Sequence, residues 1–196
     1  MNSKQVFKNI CIGILLAFVI FIIYVVTISG WDLRQVRTTG KNLGLISALF
    51  FCITITPGII RRSNINFLGQ IPVHLLYARA QLGLIMFFTA LGHYLMMVLM
   101  PFLKSGIKPN IQAYFVFGLL ALFLSFWLAL TSNQLSKKIL KKHWKTLHSL
   151  VYIIVWLIFL HIALIKISPI SILVGLFAIV ETISLIYDQS KKAKVS

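Results

Sequence analysis

Apolar positions along the chain gather into six long stretches separated by short polar segments, with neither the alternation of half-buried strands nor the three-in-seven spacing of soluble amphipathic helices. The stretches run from Ile10 to Ile28, Leu43 to Ile60, Leu82 to Leu103, Ile111 to Leu130, Leu150 to Ile165 (from His148 at its widest) and Ile170 to Tyr187. A bilayer core about 30 Å thick is crossed by roughly 20 apolar residues of helix. The pattern therefore predicts an all-α integral membrane protein of six transmembrane helices, a single domain over residues 1–196. The separators agree: Gly30 to Lys41, Arg61 to Gln70, Lys104 to Asn110, Ser132 to Lys145, and the pair Ser168 and Pro169. The first stretch is too long for a signal-peptide core and has no small-residue cleavage site, so it is expected to stay as a helix.

Composition sharpens this picture. The chain is 59% hydrophobic, with only three acids (Asp32, Glu181, Asp188) against nineteen lysines and arginines, and its mean hydropathy is +0.95, which excludes an ordinary soluble domain. A net charge of +16 does not point to nucleic acid, because the cations lie in the loops, where they meet anionic lipid headgroups. With the N-terminus inside, Lys4, Lys8, Arg61, Arg62, Arg79, Lys137, Lys138, Lys141, Lys142, Lys145, Lys191, Lys192 and Lys194 face inward, thirteen against six outward. Arg34, Arg37, Lys41, Lys104, Lys108 and Lys166 make up the outer set. This asymmetry predicts both termini on the cytoplasmic side. Cys11 and Cys52, without CxxC spacing, read as buried thiols. No GxGxxG follows a strand, so no nicotinamide-binding domain of Rossmann type is expected.

The candidate chemistry lies in the histidines, since an imidazole within hydrocarbon needs a partner. His93 falls about eleven residues into the third stretch and His161 deep in the fifth. At ~1.5 Å per residue, His93 sits roughly 17 Å from the inner end of its span and His161 roughly 20 Å from His148, so the two share a depth. Paired imidazoles between helices of a bundle are the axial ligands of a heme, although a lone intramembrane histidine also serves as an interhelical hydrogen bond. His148 is placed for a second cofactor near the inner surface. Its partner position on the third span holds Ala80 and Arg79, neither an ordinary heme ligand, while His74 and His143 fall in inner-side loops. On a straight helix His148 and His161 stand roughly 140° apart, so both facing one bundle axis requires a kink or altered winding between them. Glu181 reads as a snorkelling carboxylate near the interface, the alternative being a partner for Arg79 or His148 or a proton path. The run SNQLSKKILKKHWK, residues 132–145, reads as an amphipathic interfacial helix lying on lipid, or as a docking surface for an acidic reductase.

The run HWKTLHSLVY, with Trp144, Leu147, His148 and Tyr152, followed by His161 thirteen residues after His148, resembles the fifth-span signature of the ferric-reductase-like transmembrane family. Supporting features are Thr39 and Gly40, Thr56 and Pro57, Arg79 and Gly83 ahead of His93, and Leu130, Thr131 and Ser132, in order from Thr39 to about Tyr187. The resemblance is nearest to the bacterial heme-binding membrane subunits of periplasmic methionine sulfoxide reductase systems. It implies a b-type heme ligated by His93 and His161, and a second cofactor, heme or a flavin such as FMN, at His148. Arg79 stands where two-heme members carry a fourth histidine. It also implies an electron-transfer subunit in a bacterial inner membrane that takes electrons from a cytoplasmic flavin reductase or the quinone pool and passes them to a periplasmic acceptor. A transmembrane ferric reductase acting on metal ions is the alternative within that chemistry, and a non-redox small transporter the alternative outside it.

Overall fold

The computed structural model describes residues 32–63 and 71–193, together with Gly13 and Ile20, the side chains of residues 71–77 and 192 excepted. The expected span from Ile10 to Ile28 lies outside the described residues. The other five are present as helices long and apolar enough to cross a bilayer, and every regular element among the described residues is helical. In chain order they are α1 (Leu33–Arg62), α2 (Ile71–Tyr94), a π turn (Leu95–Leu99), α3 (Met100–Ser105), α4 (Ala113–Leu130), α5 (Gln134–Leu140), α6 (Lys142–His148), α7 (Val151–Ile165) and α8 (Pro169–Ala193).

Local chemistry sets the boundaries. Asp32 starts α1 with a capping box: its carboxylate accepts from the Gln35 amide at 2.7 Å, and the Gln35 side chain accepts from the Asp32 amide at 3.0 Å. α1 begins ten residues before the expected apolar stretch because Arg34, Arg37 and Lys41 ride on its first turns. α2 begins at Ile71, so His74 lies on a helix and not in a loop, and His143 likewise lies on α6. Pro101 has no N–H to return to Met97, and the chain meets this by widening into the π turn directly before it. Gly106, at φ 62°, supplies the left-handed residue that ends α3.

Residues 132–145, expected to form one interfacial helix, instead form two short ones hinged at Lys141, whose φ of 48° an L-residue adopts at a cost. The hinge lets Trp144 turn back, donating its indole N–H to the Thr131 carbonyl at 3.0 Å and stacking on His148 with ring centres 4.1 Å apart. The change of winding that the histidine spacing requires falls just after His148. Leu150 and Tyr152 return their amides three residues back, to Leu147 and Ser149, rather than four.

One core joins all five spans: Phe51 and Ile55 of α1, Met86 of α2, Ala121 of α4, Ile154 and Val155 of α7, and Ala178 of α8. Smaller buried clusters form around Val36 and Met96 and around Cys52 and Val174, while many other apolar side chains face outward, among them Leu45, Leu49, Ile53, Leu119, Phe123, Trp127, Leu176 and Ile183. That is costly in water and suits lipid. Antiparallel neighbours give the bundle two chemically distinct ends. The start of α1, the ends of α2 and α7 and the starts of α4 and α8 meet at one; Arg62, Arg79, Thr131, His148 and Glu181 gather at the other.

At that second end Glu181 is 2% exposed and ion-paired with Arg62, so it does not snorkel to the interface as its position suggested. Arg62 also donates to Ser184 Oγ at 3.0 Å and to the Tyr152 hydroxyl at 3.2 Å, tying α1 to α7 and α8. Arg62→Met leaves the carboxylate buried and unpaired, at a cost of about 3–5 kcal/mol. The paired change Arg62→Met with Glu181→Met recovers most of it. Unfolding of the detergent-solubilised protein followed by circular dichroism measures both; equal losses in the single and double variants would contradict the pairing.

Candidate cofactor site between His93 and His161

His93 stands on the last turn of α2 and His161 on α7, and the fold brings the two side by side: their ring centres are 6.2 Å apart and their planes 80° apart. Each ring is held from behind by a backbone carbonyl. His93 Nδ1 donates to the Gly40 carbonyl of α1 at 2.8 Å, and His161 Nδ1 donates to the Tyr114 carbonyl of α4 at 2.7 Å. A carbonyl can only accept, so both protons are placed on Nδ1 and both Nε2 lone pairs are left free. This is the orientation in which protein imidazoles bind metals, the second nitrogen fixed by a backbone acceptor.

Two glycines make the seats. A Cβ on Gly44 would come within 2.8 Å of His93 Nδ1, and one on Gly118 within 2.5 Å of His161 Nδ1. With any larger residue the rings could not lie flat against α1 and α4. On α1, Gly40 and Gly44 are one turn apart, the first providing the acceptor and the second the clearance.

Between the helices lies a cavity of about 460 Å³, within the range of cofactor pockets. Ala48, Ala90, Ala121, Met86 and Met97 line it beside the two histidines, and Lys41 and Lys166 join them. Two metal–imidazole bonds of about 2 Å, each lengthened by the ~1.1 Å from ring nitrogen to ring centre, place the centres of a bis-imidazole pair about 6 Å apart. The observed 6.2 Å fits one six-coordinate metal between the rings, with an apolar slot for a planar macrocycle around it. Among the described residues no three His, Cys, Asp or Glu side chains converge, so a tetrahedral zinc-type site is not built there.

At the opposite end His148 turns toward α4, its Nε2 3.2 Å from Thr131 Oγ1. Arg79 lies within electrostatic range of His148, Glu181, Arg62 and Tyr152. No second described imidazole faces His148. The two ends are thus unlike: a facing imidazole pair at one, and among the described side chains His148 with cations, hydroxyls and an indole at the other. The spacing of histidines in the sequence pointed to His93, His161 and His148. It did not point to Arg62, to the carbonyls of Gly40 and Tyr114, or to the clearance at Gly44 and Gly118. The four-residue spacing of Gly40 and Gly44 was the one available signal, a small-residue stripe of the sort that marks close helix approach.

This architecture is that of a multi-span helical membrane protein organised around an interhelical histidine pair. The family described as the ferric reductase like transmembrane component matches residues 43–160, and the chain belongs to that family. The match takes in Arg79, His93 and His148 and stops one residue short of His161. Two curated relatives are each named protein-methionine-sulfoxide reductase heme-binding subunit MsrQ. The one from Agrobacterium fabrum is 30% identical over 146 residues, 72% of this chain and 64% of its own length. The one from Brucella anthropi is 37% identical over 122 residues, 60% of this chain and 52% of its own. The chain therefore matches between about half and two thirds of the length of these relatives. No solved structure matches it.

Gly118→Ala forces His161 off its seat. The expected outcome is a loss of about 1–3 kcal/mol in stability, with the His161 Nδ1–H signal lost or shifted in nitrogen-labelled histidine spectra. An unchanged signal would mean the ring is not held through Gly118.

Proposed function

We propose that this chain is the heme-carrying electron-transfer subunit of a membrane oxidoreductase, acting as a single transmembrane domain in a bacterial inner membrane with both termini cytoplasmic. The observation that carries the reading is the pair of Nδ1-anchored imidazoles with ring centres 6.2 Å apart; the relatives' name as heme-binding subunits supports it. His93 and His161 ligate one b-type heme, which supplies a one-electron carrier. Gly40 and Tyr114 hold the imidazoles in the ligating tautomer through their carbonyls, so little reorganisation accompanies the change of charge on the metal. The apolar walls exclude water from the site.

The inner end serves electron entry. Among the described side chains no second imidazole faces His148, so they do not build a second bis-histidine pair. Arg79 offers a cation for a flavin's phosphate or reduced ring and Thr131 a hydrogen-bonding group, beside the Trp144 indole that is stacked on His148. Electrons from a cytoplasmic flavin reductase or the quinone pool enter there, and a periplasmic partner such as a methionine sulfoxide reductase is reduced at the outer end. A second reading, direct reduction of ferric ions at the outer face, draws on the family's own description. Stopped-flow reoxidation of the reduced protein by ferric chelate, as against a periplasmic sulfoxide reductase, separates the two.

Protein purified after heme-replete expression is expected to show the Soret and split α/β bands of a low-spin bis-imidazole heme. His93→Ala and His161→Ala are each expected to lower heme content at least ten-fold, whereas His148→Ala leaves this band in place and removes any flavin absorbance. A colourless wild-type protein, or normal heme content in the His93→Ala, His161→Ala double variant, would overturn the assignment.

A further inference from the structure

The cavity between His93 and His161 is largely apolar, with the buried Ser47 and Ser125 in its wall, and at its rim two lysines line it and both are exposed. Lys166 caps the end of α7, five residues beyond His161, or about 7.5 Å further along the helix axis at ~1.5 Å per residue. Lys41 lies on α1 beside Gly40, whose carbonyl seats His93, and three residues before Gly44, about 4.5 Å along the axis toward the same end. The two ammonium groups thus flank one edge of the slot, on α1 and α7, from the same side of the histidine level.

Among the described residues neither lysine has an ion-pair partner. Of the chain's three acids, Asp32 is engaged in the capping box of α1, while Glu181 and Asp188 lie toward the opposite end of α8. Two cations at the mouth of a largely apolar slot suit a planar ligand with two carboxylates on one edge, and the propionates of a b-type heme have that disposition.

Building on the proposed ligation by His93 and His161, we propose that Lys41 and Lys166 bind the two heme propionates. They fix the macrocycle with its carboxylate edge toward the outer rim and its vinyl edge toward the core around Ala121 and Met86. Reversed insertion would bury two carboxylates among alanines and methionines and leave both lysines without a counter-charge. The propionate edge is then the part of the cofactor nearest an outside acceptor, and the lysines are positioning residues for electron exit.

The test uses Lys41→Met, Lys166→Met and the double variant, which keep the side-chain length and remove the charge at exposed positions. With protoheme bound, the optical spectrum stays that of a bis-imidazole heme. Transfer of heme to excess apomyoglobin is expected to quicken several-fold in each single variant and further in the double, and the midpoint potential to fall as positive charge leaves the propionates. The same proteins, produced without heme and loaded with protoheme dimethyl ester, are expected to lose it at one common rate. Unchanged transfer rates with protoheme, or an equal acceleration with the ester, would overturn the propionate assignment while leaving the ligation intact. A wild-type protein that takes up neither form with a bis-imidazole spectrum would overturn the ligation, and this proposal with it.

Discussion

The organisation of this bundle depends on two hydrogen bonds that run from histidine side chains to backbone carbonyls of neighbouring helices. An imidazole within hydrocarbon must satisfy its N–H, and helical carbonyls are normally engaged with their own amides. Gly40 and Tyr114 nonetheless accept a second donor at 2.8 and 2.7 Å, because Gly44 and Gly118 let the rings come close enough. Each bond removes the cost of a buried donor, selects the tautomer and aims a free lone pair into the gap. Helix packing, glycine placement and the proposed ligation are thus one constraint seen at three levels.

The two ends of the bundle meet the problem of buried charge differently. At the end with the histidine pair, the chain keeps its walls apolar and its cations at the rim, which leaves room for an acidic guest. At the other end it encloses its own ion pair, Arg62 with Glu181, and completes it with Ser184 and the Tyr152 hydroxyl. An ion pair that joins three helices in a low-dielectric setting is costly to break from one side only. It ties α1 to α8, and through the Tyr152 hydroxyl to α7, at the end of the bundle where Arg79 and His148 lie.

Much of this was legible in the order of residues. Long apolar runs give the spans because a bilayer demands them, and all five that fall within the described residues are present. The shared depth of His93 and His161 follows from helical rise alone. The break after His148 was legible as a need, since 140° between two inward-facing histidines cannot persist on a straight helix, and the turn at Ser149 and Leu150 meets it. What could not be read depends on neighbours distant in sequence. Glu181 looked like a residue reaching for water because nothing nearby in the chain pairs with it; its partner is 119 residues away. The split of residues 132–145 into α5 and α6 likewise follows from Trp144 finding Thr131 and His148, a tertiary attraction stronger than the amphipathic pattern. Of the glycines that clear a ring on another helix, Gly44 carries only its spacing from Gly40 as a local signature, and Gly118 carries none.

The near-perpendicular setting of the two imidazoles, 80° between planes, permits a direct test by low-temperature electron paramagnetic resonance of the oxidised, purified protein. If His93 and His161 hold a heme as proposed, imidazoles in this setting would bring two iron d orbitals close to degeneracy, and a strongly anisotropic low-spin signal dominated by a single large g value is expected. A rhombic low-spin spectrum of coplanar imidazoles would contradict the seats assigned to the rings. A high-spin signal, or none from heme iron, would contradict ligation by His93 and His161.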